Sequence, residues 1–218
     1  AVMPNAYFTI NRPENDPFLG YLPGSPERAA LKEELAKQAS QVVKIPLIIG
    51  GREVWTENTI SVTMPHDHQH VIAERCMAGE KELKMAIDAA LAAKDAWESM
   101  PWEHRSAIFL KAADMITGSY RKVLNASTML GQSKTVFQAE IDIAELADFL
   151  RFGVWGAQEI FKEQPASVDG IWNRQDYRPL DGFICAISPF NFTSIGGNLP
   201  TAPAIVGNVA LWKPSRTA

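Results

Sequence analysis

The sequence predicts an α/β protein in which a block of amphipathic helices precedes the opening strands of a parallel sheet. Three observations point there. Apolar residues recur at helical spacing across residues 80–163. Two short runs near the end, 183–187 and 209–212, are apolar throughout, as are strands of a parallel sheet covered on both faces. A helical stretch separates those runs, which makes strand, helix, strand: a crossover unit.

Taken in order, residues 1–24 are rich in Pro, Asn and Gly and read as an extended arm. Ser25-Pro26-Glu27 opens a helix that runs to about Gln41. Ser caps, Pro in the first turn forfeits no hydrogen bond, and Glu suits the positive end of the helix dipole. Residues 45–49 and Val54-Trp55 flank Gly50-Gly51, a hairpin signal because both glycines accept positive φ. Residues 60–64 alternate as a further strand. From Glu80 the period turns helical: Leu83, Ile87, Leu91 and Trp97 mark one helix. Pro101 and Trp102 open a second, with Ile108, Leu110, Ala113 and Ile116 inward. A third, long helix starts at Ser133 or Thr135 and reaches about Glu163 through Phe137, Ile141, Leu146, Phe149 and Phe152. Gly153 and Gly156 are the places for it to bend or divide. Residues 170–178 then hold a strand, Leu180-Asp181-Gly182 a turn, and residues 195–206 the helix between the two apolar strands. The chain thus divides into an arm and helix (1–44), a hairpin and strand segment (45–79), a helical part (80–164) and the start of a Rossmann-like sheet (165–218).

Composition narrows the function. With 46% hydrophobic and 21% charged residues, the chain can bury a sizeable core. A net charge of −4 without a Lys/Arg block argues against a nucleic-acid partner. No apolar run approaches the roughly 18–20 residues that span a bilayer, so no membrane insertion is expected. Residues 1–5 lack the basic and apolar parts of a secretory signal. Cys76 and Cys185 form no CxxC pair, which suits a reducing compartment. His66, His68 and His70 alternate as a zinc site on a strand would, yet Pro65 and the polar composition favour a solvated loop, and no metal is expected. His104 reads as a surface or structural residue, and Trp97 and Trp102 as packing between helices.

Ligands of doubly wound sheets bind beyond the carboxyl ends of the strands, and two polar motifs stand there. The first apolar strand ends in Ser188-Pro189-Phe190-Asn191-Phe192, the second in Lys213-Pro214-Ser215. Pro189 stiffens the turn, and Asn191 offers a neutral amide that could stabilise a developing oxyanion without quenching a nearby nucleophile. The plainer alternative is an Asn that caps a turn. Lys213 could hold ribose hydroxyls or a phosphate, or simply reach solvent.

These residues also carry a resemblance. Residues 187–192, then Gly196-Gly197-Asn198-Leu199, then 211–215, resemble the aldehyde dehydrogenase superfamily, most of all its 1-pyrroline-5-carboxylate (glutamate-γ-semialdehyde) dehydrogenase branch. Residues 24–28, 109–114 and 138–142 resemble that branch too, so the likeness extends over essentially the whole chain. It implies oxidation of L-glutamate γ-semialdehyde to L-glutamate by a cysteine thiolate, with NAD, or NADP as the alternative, as hydride acceptor. Asn191 then matches the oxyanion stabiliser, and Ile187, Ser188, Pro189 and Phe190 the segment lining the cofactor cleft. Lys213 matches the grip on the adenosine ribose, Phe192 an aromatic wall of the aldehyde pocket, and Glu145 a carboxylate facing the substrate amine. The resemblance further implies a cofactor domain, a catalytic domain, a β-flap serving a homodimer or higher oligomer, and a mitochondrial matrix location, or the cytoplasm in a bacterium.

Three departures qualify it. Between Asp142 and Glu145 the chain is one residue shorter than that branch, which in a helix turns the following face by about 100°. Arg216 stands where relatives carry an acidic residue near the ribose, a change that favours a 2′-phosphate over a free hydroxyl. The nucleophilic Cys, the base Glu and the Gly-rich cofactor turn lie further along in this family, so residues 1–218 alone are expected to be inactive. Cys185, inside an apolar strand, is expected buried and inert, and Cys76 has no motif around it. The alternative function is a short, non-catalytic scaffold or binding protein that keeps the family's frame.

Overall fold

The computed structural model describes residues 7–216. Helix α1 (Pro26–Ala39) begins as its first turn dictates: Ser25 Oγ accepts from the Arg28 amide, Pro26 occupies the first turn and Glu27 faces the positive end. Two small sheets follow. Strands β2 (Leu47–Ile49) and β3 (Arg52–Val54) form the expected hairpin, with Gly50 and Gly51 at φ 58° and 73°. Strands β1 (Val43–Ile45), β4 (Thr59–Met64) and β5 (Asp67–Cys76) make a mixed sheet in the order β1-β5-β4.

Strand β5 corrects the solvated-loop reading of residues 66–70. The turn is confined to Pro65 and His66, and the strand begins at Asp67. Its first three residues are exposed, which gives them the composition of a loop while Val71, Ile72 and Ala73 pair inward with β4 and β1. His66 Nδ1 meets Ser133 Oγ at 2.7 Å and His70 Nε2 meets the Ala39 carbonyl at 2.7 Å, so these rings face separate partners.

Four helices follow: α2 (Glu80–Glu98), α3 (Trp102–Thr117), α4 (Arg121–Gln132) and α5 (Val136–Lys162). The separate α4 was not legible in the periodicity. At Gly118 the backbone leaves helical geometry (φ −98°, ψ −107°), and the chain restarts at Arg121. Helix α5 is continuous, undivided at its two glycines. Gly153 instead admits α6 (Thr193–Ile205): a Cβ there would lie 2.9 Å from Ile205 Cδ1. Phe109, Ala113, Ala147, Leu150, Val154, Ala157 and Ile205 form the largest buried cluster, with Trp97 edge-on to Phe109. The buried Arg105 guanidinium fastens helix ends to it, donating to the carbonyls of Met100 and Ile205.

The arm is tied down by charge. Arg121 pairs with Glu140 and with Asp16 (2.7 Å), and Arg151 reaches the other Asp16 oxygen at 2.8 Å. Glu140, fully buried, also accepts from Tyr21 Oη and the Leu19 amide at 2.7 Å and from Asn125 at 2.8 Å. Burial pushes the Glu140 carboxyl up, but the Arg121 guanidinium and these donors more than offset it and hold its pKa below the usual carboxylate range.

Strands β6 (Ile184–Ile187) and β7 (Ala210–Lys213) pair in parallel around α6, Ile184 opposite Ala210 and Ile187 opposite Lys213. Two expectations fail here. Residues 170–178 form no strand; one isolated bridge joins Val168 to Ile171. Strand β6 is not buried on both faces: Ala186 is enclosed, while Cys185 and Ile187 are exposed. Among the described residues β6 pairs only with β7, and α6 packs on the two strands, so these residues leave alternate side chains of β6 uncovered. The buried cysteine is Cys76, whose Sγ accepts from the Thr56 amide at 3.3 Å.

Candidate active site

The segment between β6 and α6 is fixed by groups from three other elements. Ser188 is buried: its amide donates to the Lys213 carbonyl at 3.2 Å, and its Oγ accepts from Trp212 Nε1 at 2.6 Å. That side chain ties β6 to β7. Pro189 and Phe190 are exposed beyond the end of β6, and Ile187 and Lys213, the last residues of their strands, are exposed too. Asn191 follows, exposed, its amide bound to no described residue. Phe192 occupies the N-cap position of α6 and carries no capping side chain.

The cap is imported from α5. Asp142, 1% exposed, accepts from the amides of Thr193 and Ser194, each at 2.9 Å. A carboxylate there satisfies two orphan donors and suits the positive helix end. Lys134 neutralises it at 2.8 Å and lies 4.3 Å over the Phe192 ring. From α4, Thr128 and Gln132 hold Thr193 Oγ1 at 2.8 and 2.9 Å. None of these side chains was singled out for a role in the sequence. A signal existed: a helix whose N-cap is Phe needs a partner elsewhere, and Asp142 stands one turn before Glu145.

Glu145 is brought to the same place. Its Oε2 accepts from Ser194 Oγ at 2.9 Å, so the three-residue spacing from Asp142 keeps both carboxylates on the face of α5 that meets the start of α6. Glu145 also lines a groove of about 340 Å³ between the arm and α5. Phe18, Ile141, Phe149 and Phe152 give it apolar walls; Asn15, Glu145 and Asp148 give it a polar end. The structure therefore gathers Asn191, Phe192 and Glu145 around the first turn of α6. Lys213 and residues 187–190 lie along the carboxyl ends of β6 and β7, all exposed but Ser188, and the Lys213 ammonium has no partner among the described residues. Among the described residues no cluster of His, Cys, Asp and Glu is arranged to hold a metal ion, and no helix is long and apolar enough to cross a membrane.

A parallel crossover with an amide-bearing loop at its carboxyl edge defines a class, and comparison agrees. A sequence model of the Aldehyde dehydrogenase family matches residues 54–218, and the chain belongs to that family. Among individual proteins, it is 53% identical over 216 residues to the Delta-1-pyrroline-5-carboxylate dehydrogenase of Agaricus bisporus, covering 98% of this chain and 40% of the relative. To the mitochondrial enzyme of that name from Mus musculus it is 51% identical over 205 residues, 94% of this chain and 36% of the relative. The crystal structure of the Delta-pyrroline-5-carboxylate dehydrogenase from Mycobacterium tuberculosis bound with NAD superposes at a TM-score of 0.96 and 48% identity, over 98% of this chain and 40% of that one. The Thermus thermophilus 1-pyrroline-5-carboxylate dehydrogenase gives 0.89 at 28% identity, over 97% and 41%. The chain thus spans about 40% of the length of these relatives.

Proposed function

We propose that these residues are the front of an NAD(P)-dependent enzyme that oxidises L-glutamate γ-semialdehyde to L-glutamate. The observation that supports this best is the convergence at the start of α6: an Asn191 amide with no partner among the described residues, beside Phe192, with Glu145 reaching Ser194 two positions further on. In this reading the Asn191 amide donates to the aldehyde oxygen as negative charge gathers on it, a neutral donor that leaves an attacking thiolate undiminished. Glu145 faces the α-ammonium group of the substrate, and the aromatic groove holds its carbon chain. The dinucleotide, when bound, supplies the hydride acceptor. Residues 187–190 shape its cleft by backbone contact, and Lys213 holds the ribose of its adenosine half. In this reading neither cysteine here is the attacking thiolate: Cys76 is buried and its Sγ accepts from the Thr56 amide, and Cys185 lies within β6.

Relatives named as mitochondrial support a matrix location for a eukaryotic source, and a bacterial enzyme would be cytoplasmic. A homo-oligomer accords with the same reading. The test is kinetic, on the full-length protein. Asn191→Ala should lower kcat by roughly 10²–10³ with a smaller effect on KM. Glu145→Gln should raise KM for glutamate semialdehyde while leaving a simple aliphatic aldehyde unaffected. If Asn191→Ala keeps kcat within a factor of about three, the oxyanion role is wrong.

A further inference from the structure

A second cavity, of about 250 Å³, opens where α1, the turn ahead of β5 and the junction of α4 with α5 meet. Its lining falls into two halves. Leu35, Met129 and Leu130 form an apolar, half-buried floor. His66, Ser133 and Lys134 form a rim of donors, and no lining residue is acidic. Ser133 closes α4 in the left-handed region (φ 54°, ψ 35°), which is costly for a residue that bears a Cβ. Glycine would make that turn without the cost, so what serine adds there is its hydroxyl. His66 Nδ1 holds the hydroxyl at 2.7 Å. When Nδ1 carries the proton, Ser133 Oγ accepts it and its own O–H is free to donate into the cavity.

Lys134 joins this cavity to the candidate active site. The same ammonium that lines the rim pairs with Asp142 at 2.8 Å and lies 4.3 Å over the Phe192 ring. A hydroxyl and an ammonium above an apolar floor fit a carboxylate with a hydrocarbon tail. The volume falls below the roughly 300–1,000 Å³ of sites for larger ligands, so the tail is short. We propose that the cavity binds an aliphatic carboxylate of about four to six carbons, and that the bound anion inhibits the enzyme by drawing Lys134 from Asp142 and Phe192. An ammonium shared between two carboxylates holds each less firmly, which loosens the cap of α6 and the ring beside Asn191 together. The inhibition rests on the function proposed above; the binding does not.

Calorimetric titration of the full-length protein with hexanoate, and with 1-hexanol as its uncharged counterpart, tests the site. Hexanoate should bind with a Kd of about 1 mM, and hexanol at least about tenfold more weakly. Ser133→Gly relaxes the backbone and should fold at least as well as the wild type. It should weaken hexanoate about tenfold and leave kcat and KM in the absence of hexanoate unchanged. In turnover assays hexanoate should lower kcat for glutamate semialdehyde in the wild type, and the Ser133→Gly variant should resist it. Purely competitive inhibition that Ser133→Gly leaves untouched would put the carboxylate in the aldehyde pocket and overturn the proposal. Absence of hexanoate binding up to about 20 mM overturns it too. Binding that depends on Ser133 in a protein that oxidises no glutamate semialdehyde sinks the proposed function and keeps the site.

Discussion

Asp142 offers the sharpest test of how the site is held. Its carboxylate, 1% exposed, receives two backbone amides at 2.9 Å and the Lys134 ammonium at 2.8 Å. Hydrogen bonds to a charged acceptor contribute about 1.5–3 kcal/mol each, and breaking a buried pair from one side costs about 3–5 kcal/mol. These figures describe the same carboxylate and do not add. Asp142→Ala should therefore destabilise the protein by about 4 kcal/mol. Asp142→Asn, which keeps the shape and one acceptor oxygen, should cost about half of that. Urea denaturation gives the total, and hydrogen exchange gives its location. The amides of Thr193 and Ser194 should exchange roughly 10²–10³-fold faster in the Ala variant, while the β6–β7 ladder keeps its protection. The charge argument has its own control. With Lys134→Met in place, Asp142→Asn should cost clearly less than it does alone, because no buried cation is then left without a partner. If Asp142→Ala costs under about 1 kcal/mol with both amides still protected, the imported cap is not what fixes the start of α6.

Two further outcomes follow from packing and from titration. A Cβ at Gly197 would stand 2.5 Å from Leu146 Cδ1, so Gly197→Ala should destabilise by about 1–2 kcal/mol in thermal melts despite the better helix propensity of Ala, and a Leu146→Ala background should absorb the clash. Asp16 and Glu140 both have depressed carboxyl pKa values. In each, burial raises the pKa and is outweighed by arginine contacts, from Arg151 and Arg121 for Asp16 and first from Arg121 for Glu140. A depressed folded pKa contributes stability that is whole above the unfolded value, about 4, and drains away as pH falls through the folded one. Melting temperature should therefore drop steeply on acidification below about pH 4. Glu140→Gln should flatten that slope while costing about 3 kcal/mol at neutral pH; an unchanged slope would show that the arm is not latched by these charges.

Much of the fold lay open in the chain. The caps at Ser25 and Thr135, the glycine hairpin and the apolar runs of β6 and β7 are local signals, and each element formed where its own residues asked for it. What stayed hidden depends on partners distant in sequence. Strand β5 begins with polar residues because one flank is exposed, so its strand character rests on pairing with β4 and β1. Cys185 read as buried because its neighbours are apolar, yet exposure on a strand is set by what covers each face. The α4 start follows a backbone break at Gly118 that hydrophobic spacing does not register.

The candidate site divides along the same line. Asn191, Phe192, Lys213 and Glu145 were singled out from the sequence because they belong to contiguous motifs. Asp142, Lys134, Thr128 and Gln132 were not, because each acts on α6 across 51–65 positions of sequence or through a residue that does. Phe192 explains why such help is required. An aromatic ring at the N-cap cannot accept from the first amides of the helix, so a ring kept there for another purpose obliges the protein to bring a carboxylate from elsewhere. The start of α6, directly after Asn191 and Phe192, is thus held by α5, a long helix locked to the arm through Glu140. Asp142 and Glu145, three apart on α5, share one face, and both therefore reach the first turn of α6, one at the Thr193 and Ser194 amides and the other at the Ser194 hydroxyl.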